Sequence, residues 1–348
     1  MSPAMRGLLL LDAKFLDNIP MLIAAQDYSL LSPELMLDAI ESVGIRVDSG
    51  LLELNSYENR VFQFHDEDKR RYVVKFYRPL RWSDAQIQEE HDFSLELVAA
   101  EIDVVAPLVL QGESLFHHQG YRFAIFPSVG GRPIEVDNFD ALESVGHTLG
   151  RMHQVASQRD FLQRPQLSIA EFVEQPKLIL QQSLFVPGHL ENTFFTVFNQ
   201  LEQSVKKHYE GNHKLMRLHG DLHAGNILWR DKSTLVDFDD CRQGPAIQDL
   251  WMMLHGQRHE QMQQLEVIVE AYEEFHQFDS KQLALIEPLR AMRMMNYMGW
   301  IARRWQDPAF KRHFAWFTED SYWQQQISAM TEQIECMEQA PLSLVPLY

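Results

Sequence analysis

Hydrophobic positions alternate with polar ones in the first third of the chain and follow helical spacing in most of the rest. β-Branched and aromatic residues alternate along LLELNS, RVFQFHD and RRYVVKFYRP, which predicts a β-hairpin followed by another strand. VVAPLVL, SLFHHQ and YRFAIFPSV predict further strands. SPELMLDAIESVG predicts a helix capped by Ser32, and SDAQIQEEHDFSLELVAA predicts one with a capping box of Ser83 and Gln86. We therefore expect a β-rich N-terminal lobe, with the second of these helices as its key helix.

Helical spacing dominates after residue 134, starting with FDALESVGHTLGRMHQVAS. Further helices are predicted near residues 168–182, 190–209, 246–275, 280–305 and 320–338. Only the stretch around 216–239 contains short β-like runs. The sequence therefore predicts an α+β protein in the outline of the bilobal, protein-kinase-like fold. Its N-lobe is β-rich, and its C-lobe is mainly helical with a short β insertion.

The lobe boundaries follow from the same patterns. The N-lobe is predicted at 31–127 and the C-lobe at 135–348. The hinge is predicted at 128–134, because the paired glycines and the proline of SVGGRPI interrupt both patterns. Residues 1–30 are predicted to be an extension, with two hypotheses left open: it is partly disordered, or translation starts at Met21. Charged residues interrupt its apolar run, which disfavours a signal peptide.

Composition restricts the class of protein. The chain has 348 residues, 45% of them hydrophobic, which is enough for a substantial core in two lobes. A net charge of −18 disfavours a general nucleic-acid binder, which needs a basic surface. The two cysteines cannot build a disulfide framework, and no apolar run reaches the length of a membrane span. We therefore expect a cytoplasmic monomer without a membrane or nucleic-acid partner.

The stretch HGDLHAGN has the H-x-D-x-x-x-x-N spacing of a kinase catalytic loop. In such a loop the aspartate, here Asp221, acts as the base, and the asparagine, here Asn226, binds a metal ion. The apolar run ILW that follows predicts a short strand that holds the turn rigid. On this spacing alone, an Asx-rich turn that joins two strands is an equal alternative.

A second acidic stretch, STLVDFDD, favours the metal hypothesis. Its short strand places Asp237 where kinases have the aspartate of their DFG motif, although the glycine is missing here. Clustered carboxylates repel one another, and a divalent cation relieves that repulsion. The alternative is a solvated acidic turn. With both motifs in order, Asp237 is the best metal ligand, Asp239 a possible helper and Asp240 a surface residue.

Nucleotide contacts are expected from the N-lobe. Lys75 lies inside the apolar strand RYVVKFY and needs an anionic partner, unless it reaches water from an edge strand. Helical spacing puts Glu90 on the apolar stripe of the next helix and Glu89 on its wet side, which predicts a Lys75–Glu90 pair. The turn in LNSYENRVFQF lacks the glycines of a kinase phosphate loop, so Ser56 is the candidate phosphate contact there. An ordinary hairpin turn is the alternative.

Four further residues have predicted roles outside these motifs. Asp249, near the start of a helix in GPAIQDLWMML, is expected to accept backbone N–H bonds from the catalytic loop. His153 is expected to be a satisfied interior or surface residue rather than a ligand. Arg290 and Arg293 are weak candidates for substrate contact, on a helix otherwise explained by packing.

HGDLHAGNILW, LVDFDD and GPAIQDL, in this order, resemble the signature of the aminoglycoside-phosphotransferase and choline-kinase superfamily. Within it, GIRVDSGLLELNSYENRVFQF, VVKFYRP, FAIFPSVGGR and EPLRAMR resemble the bacterial stress response kinase A family, over about residue 24 to Tyr348. This resemblance implies a Ser/Thr protein kinase that uses ATP and Mg²⁺ and serves stress survival. It makes Asp221 the proton acceptor, Asn226 and Asp237 the Mg²⁺ ligands, and Ser56 a contact of the nucleotide phosphates.

The same residues leave two other functions open. A kinase for a small molecule such as homoserine, choline or an aminoglycoside would share every catalytic residue, because the fold does not fix the acceptor. A pseudokinase would bind nucleotide without turnover. The chain lacks an A-P-E segment and has few residues between Asp237 and the GPAIQDL helix, so a long phosphorylatable activation loop is not expected.

Overall fold

The computed structural model describes residues 27–209, 211 and 213–344. The chain forms two compact units: the first extends to Leu95 and resumes at Val105–Val129, and the second contains Glu96–Val104 and continues from Gly130. The expectations for an N-terminal extension and for a start at Met21 fall almost wholly outside the described residues. Helices and strands together confirm the predicted α+β fold class.

The first unit is built around an antiparallel sheet in the order β1-β2-β3-β5-β4. Its elements are α1 (Pro33–Ser42), β1 (Leu52–Glu53), β2 (Arg60–His65), β3 (Arg71–Phe76), α2 (Asp84–Ala99, which continues past Leu95 into the second unit), β4 (Phe116–His118) and β5 (Tyr121–Pro127). The alternation of β3 sends Val74 and Phe76 into a core shared with Ile40 of α1. Ile87 of α2 packs in a second cluster with Ala124 of β5.

Local sequence signals determine where the helices of this unit begin. Ser32 Oγ accepts the backbone N–H of Leu35 at 3.2 Å, as predicted for an N-cap. At the start of α2, Gln86 N–H donates to Ser83 Oγ at 3.2 Å, and Ser83 N–H donates to Gln86 Oε1 at 2.9 Å. The predicted capping box is therefore confirmed.

One strand prediction is wrong. VVAPLVL contains no strand, because Pro107 has no N–H to donate to a ladder. The segment is held to the sheet by the Leu108 N–H, which donates to Ile125 O at 2.7 Å.

The second unit is mainly helical and holds the remaining strands in two small antiparallel sheets, β10-β7 and β6-β8-β9. The strands are β6 (Arg132–Pro133), β7 (Met216–Leu218), β8 (Ile227–Trp229), β9 (Ser233–Leu235) and β10 (Arg242–Gly244). The α-helices are α3 (Phe139–Ala156), α4 (Gln175–Gln182), α5 (Glu191–Tyr209), α6 (Gln248–Trp251), α7 (Arg258–Glu273), α8 (Ile286–Arg304), α9 (Pro308–His313) and α10 (Asp320–Met337). Two one-turn 3₁₀ helices, Ala224–Asn226 and Phe238–Asp240, flank the β8–β9 hairpin.

Helix α3 packs closely on α7 because its contact face contains Gly146 and Gly150. A Cβ atom at Gly146 would lie 2.4 Å from Ile268 O, and one at Gly150 would lie 2.4 Å from Tyr272 O. The side chain of Tyr272 is buried in the same interface and contacts His153 of α3. No helix among the described residues is long and apolar enough to cross a membrane.

Candidate active site

The segment between β7 and β8, residues 219–226, is held in place by the buried carboxylate of Asp249 in α6. The backbone N–H groups of His219 and Gly220 donate to its Oδ2 and Oδ1, each at 2.8 Å. His153 Nε2 lies 3.2 Å from Asp249 Oδ2, and both residues are fully buried. The predictions that Asp249 accepts backbone N–H bonds from the predicted catalytic loop and that His153 is a satisfied interior residue are therefore confirmed.

The predicted catalytic loop packs directly on the DFD segment. His219 Nε2 donates to Val236 O at 2.8 Å, and its ring lies 4.6 Å from the ring of Phe238 between centroids. Gly220 has φ of +87°, and a Cβ atom there would lie 2.3 Å from Asp240 O. Glycine is therefore required at this position by both backbone conformation and space.

The β8–β9 hairpin brings Asn226 and Asp237 to the same end of the sheet. The two strands are antiparallel, so Asn226 precedes β8 where Asp237 follows β9. The Val236 N–H donates to Asn226 O at 3.0 Å and fixes this register. Asn226 Nδ2 donates to the backbone oxygen of Asp221 at 2.9 Å, which leaves Oδ1 as the acceptor atom of that amide.

Asp237 itself has an unusual backbone conformation. Its φ of 63° and ψ of 70° lie in the left-handed region, which costs an L-residue about 1 kcal/mol and is visited mainly by glycine, asparagine and aspartate. The conformation turns the chain from β9 straight into the 3₁₀ helix Phe238–Asp240. Such strain is concentrated at functional sites, where the surrounding structure maintains it.

The other two carboxylates of the DFDD stretch have different surroundings. Asp239 is buried, and Asp240 forms an ion pair with Arg242 at 3.0 Å, which corrects its prediction as a solvated residue. In the part of the chain that the structure describes, no three His, Cys, Asp or Glu side chains form a metal-binding group. Asp237 and the amide oxygen of Asn226 still fit Mg²⁺, which accepts few protein ligands when water and phosphate oxygens complete its shell.

The two carboxylate oxygens of Asp221 have different surroundings. Arg293 of α8 donates from Nη1 to Oδ1 in an ion pair. His223 Nε2 lies 3.6 Å from Oδ2, beyond hydrogen-bond length. Burial lowers the pKa of His223 below its ordinary value, and the Arg293 cation lowers it further, against the opposing effect of Asp221. The Arg293 contact spans 72 positions, and no spacing rule predicts it from the sequence.

Lys75 and Glu90 form the predicted ion pair inside the first unit. Lys75 Nζ lies 3.3 Å from Glu90 Oε1, and the residues are 5% and 2% exposed. Because β3 lies between β2 and β5 in the sheet, the edge-strand alternative for Lys75 is wrong. Tyr77 adds its hydroxyl, 3.4 Å from Glu90 Oε1, and the face of its ring, 4.9 Å from Lys75 Nζ.

The turn that contains Ser56 is held by an arginine that sequence reasoning missed. Arg78 donates from Nε to Glu58 O at 2.7 Å and from Nη2 to Tyr57 O at 3.1 Å. Its backbone N–H donates to Asn59 Oδ1 at 3.0 Å. These contacts give the turn a fixed shape without glycines. Ser56 is half-buried and has no hydrogen-bond partner among the described residues.

Comparison with known proteins shows the family of the chain. The model of the phosphotransferase enzyme family matches residues 51–286. Stress response kinase A of Salmonella choleraesuis strain SC-B67 is 52% identical over 92% of this chain and 98% of the relative. Stress response kinase A of Escherichia coli K12 is 50% identical over 93% of this chain and 99% of the relative.

The chain belongs to the stress response kinase A family of phosphotransferases. A further relative of this kinase, from Salmonella typhimurium LT2, carries the name serine/threonine protein kinase RdoA and is 51% identical over 92% of the chain and 98% of the relative. A solved amicoumacin kinase with AMP-PNP, Ca²⁺ and its ligand matches 95% of the kinase and 98% of that chain at a TM-score of 0.66 and 20% identity. A solved spectinomycin phosphotransferase with ADP and spectinomycin matches 90% of the kinase and 100% of that chain, at a TM-score of 0.62 and 13% identity. Identities this low show the shared fold.

The predicted site residues of the kinase divide between its two units. The first unit contains Ser56, Lys75 and Glu90, and the second contains Asp221, Asn226 and Asp237. All of them fall inside the region that the family model matches, whereas Arg293 lies beyond its end at residue 286.

Proposed function

We propose that this kinase transfers the γ-phosphoryl group of ATP to serine or threonine hydroxyls of protein substrates in a bacterial stress response. The observation that carries the proposal is the pair of motifs around Asp221 and Asp237, held together by His219, in a chain about half identical to stress response kinases. The name of one relative, serine/threonine protein kinase RdoA, supports a protein acceptor.

Asp221 is the proposed proton acceptor. As the acceptor oxygen bonds to the γ-phosphorus, the bond from that phosphorus to the β–γ bridging oxygen breaks and ADP leaves. The hydroxyl proton passes to Asp221 Oδ2, the carboxylate oxygen without a hydrogen bond from a described residue. The hydrogen bonds of Asp249 fix the backbone immediately before this carboxylate.

Asn226 and Asp237 are the proposed Mg²⁺ ligands. When bound, Mg²⁺ neutralises charge on the phosphates and holds them for in-line transfer. The hairpin register presents both side chains from a single rigid element, which keeps their spacing constant. The amicoumacin kinase solved with AMP-PNP and Ca²⁺ supports the use of a divalent cation with this fold.

The nucleotide phosphates are proposed to contact Lys75 and Ser56. Glu90 supplies the anionic partner that the buried Lys75 side chain needs, 3.3 Å from Nζ, and Tyr77 contacts the same carboxylate. The turn fixed by Arg78 presents Ser56 without the mobility that a glycine-rich loop would add.

The acceptor class is tested by incubating the purified kinase with γ-labelled ATP and Mg²⁺. The acceptors are the kinase alone, a generic basic protein, and a panel of homoserine, choline and aminoglycosides. Asp221→Asn is the test variant, and Asp231→Asn is its matched control, because Asp231 has a 93% exposed side chain in the β8–β9 turn. Phosphoamino-acid analysis then identifies the labelled hydroxyl.

Label on serine or threonine of protein, present in wild type and Asp231→Asn and lost in Asp221→Asn, supports the proposal. Label only on a small molecule moves the kinase to the metabolite-kinase class, and ATP binding without any transfer would make it a pseudokinase.

We further propose that the kinase acts in the cytoplasm as a monomer. The absence of a disulfide between Cys241 and Cys336 supports a reducing compartment, and sedimentation equilibrium measures the oligomeric state.

A further inference from the structure

Arg293 projects from the middle of α8 onto the carboxylate of Asp221. It lies on a 19-residue helix whose other face packs in the core through residues such as Met292 and Met295. The Arg293 side chain is 45% exposed, and Asp221 is its only ion-pair or hydrogen-bond partner among the residues that the structure describes. Its position is therefore not explained by the packing of the helix.

A second arginine on α8 shows what a structural role looks like. Arg290, one turn earlier, lies 3.3 Å from Glu287 through Nε, and its guanidinium lies 5.3 Å from the centre of the Trp251 ring. Both neighbours keep Arg290 on the surface of the second unit. Arg293 has no comparable neighbour in the described chain, and its contact leads only to Asp221.

The contact makes the two oxygens of Asp221 chemically different. Oδ1 accepts the Arg293 N–H, while Oδ2 lies 3.6 Å from His223 Nε2. Because His223 Nε2 lies beyond hydrogen-bond length, Arg293 is the described residue whose side chain holds this carboxylate. A carboxylate held at one oxygen cannot rotate freely about its Cβ–Cγ bond, so the other oxygen keeps a constant direction.

We propose that Arg293 is a positioning residue for the transfer step: it holds Asp221 Oδ1 and leaves Oδ2 to take the proton of the acceptor hydroxyl. This inference rests on the proposed role of Asp221 as proton acceptor. An arginine suits the task better than a lysine, because its planar, permanently charged guanidinium fixes direction as well as distance. Since Arg293 acts through Asp221, its loss should change turnover and leave ATP binding unchanged.

The test measures kcat and the KM for ATP in Arg293→Met, Arg293→Lys, Arg293→Ala and the control Arg290→Met, with a generic basic protein as acceptor. We expect Arg293→Met to lower kcat by roughly 10- to 100-fold, since a catalytic group misplaced by about 1 Å costs up to about 10²-fold. The KM for ATP should change less than about twofold. Arg293→Lys should retain part of the rate, and added guanidinium ion should restore part of it to Arg293→Ala. Arg290→Met should keep the wild-type kcat.

A double-mutant cycle decides whether Arg293 acts through Asp221. In the Asp221→Asn background, adding Arg293→Met should leave the residual turnover unchanged. An equal loss in both backgrounds would overturn the inference, as would a wild-type kcat in Arg293→Met. In either case a strong loss of turnover in the Asp221→Asn single variant would leave the proposed function intact. Full activity of Asp221→Asn would instead remove the proposed function, and this inference with it.

Discussion

Asp249 supports a specific structural prediction, because its buried side chain alone accepts two backbone N–H groups of the predicted catalytic loop. Asp249→Ala leaves the N–H groups of His219 and Gly220 buried without acceptors. A hydrogen bond to a charged group contributes about 1.5–3 kcal/mol. Two such bonds put the expected loss in free energy of unfolding at about 3–6 kcal/mol, a large share of the roughly 5–15 kcal/mol of a typical domain.

The measurement is chemical denaturation followed by tryptophan fluorescence, supported by hydrogen exchange of the His219 and Gly220 amides. Asp249→Asn keeps one acceptor oxygen and should lose about half as much stability as Asp249→Ala. Asp279→Ala is the matched control: its Oδ1 also accepts a backbone N–H, from Lys281 at 3.1 Å, but at an exposed position. A cap of this kind contributes about 0.5–2 kcal/mol. Equal losses in Asp249→Ala and Asp279→Ala would refute the claim that buried backbone donors depend on Asp249.

Three other perturbations have definite expected results. Gly150→Ala should lower the free energy of unfolding by about 1–3 kcal/mol in thermal melts, since the added Cβ atom would lie 2.4 Å from Tyr272 O. The control Gly188→Ala should have almost no effect, because no atom lies within 4 Å of a Cβ at that position. Lys75→Met should weaken ATP binding by at least about tenfold in calorimetry, whereas the control Lys69→Met, at an exposed lysine, should bind ATP like the wild type. Equal ATP affinities of Lys75→Met and wild type would exclude Lys75 from the nucleotide site. Burial raises the pKa of Glu96, but hydrogen bonds from Arg217 and Arg159 outweigh this and hold the pKa below its ordinary value of 4.5. The stabilising contribution of Glu96 is therefore fully present above pH 4.5 and is lost as the pH falls through the lowered pKa of the folded state. The difference in free energy of unfolding between wild type and Glu96→Gln should shrink on acidification, and a difference that does not depend on pH would contradict this.

Short-range patterns predicted much of the fold and part of the site. Strand alternation put Lys75 on the face opposite Val74, and helical spacing put Glu90 on the face of α2 that meets it. Side chains that cap a helix start, such as Ser83 and Gln86, were equally predictable, because their partners lie within one turn.

The sequence was less informative where partners are distant or where one residue breaks a pattern. Pro107 removes the strand that the apolar run VVAPLVL suggests, since its missing N–H interrupts the ladder. Asp240 pairs with Arg242 across a bend whose conformation depends on the left-handed Asp237. Arg293 reaches Asp221 from a helix that enters the site only through the packing of the second unit, and such packing has no sequence period.

The division of labour between Asp221 and Asp237 is tested most directly by measuring ATP affinity with and without Mg²⁺, together with turnover, in Asp221→Asn and Asp237→Asn. Asp221→Asn should bind ATP with wild-type affinity in the presence of Mg²⁺ and lose at least about 100-fold in turnover, because it lacks only the proton acceptor. Asp237→Asn should lose the Mg²⁺-dependent part of ATP affinity as well as turnover. Equal ATP affinity in the two variants, or wild-type turnover in Asp221→Asn, would contradict the account.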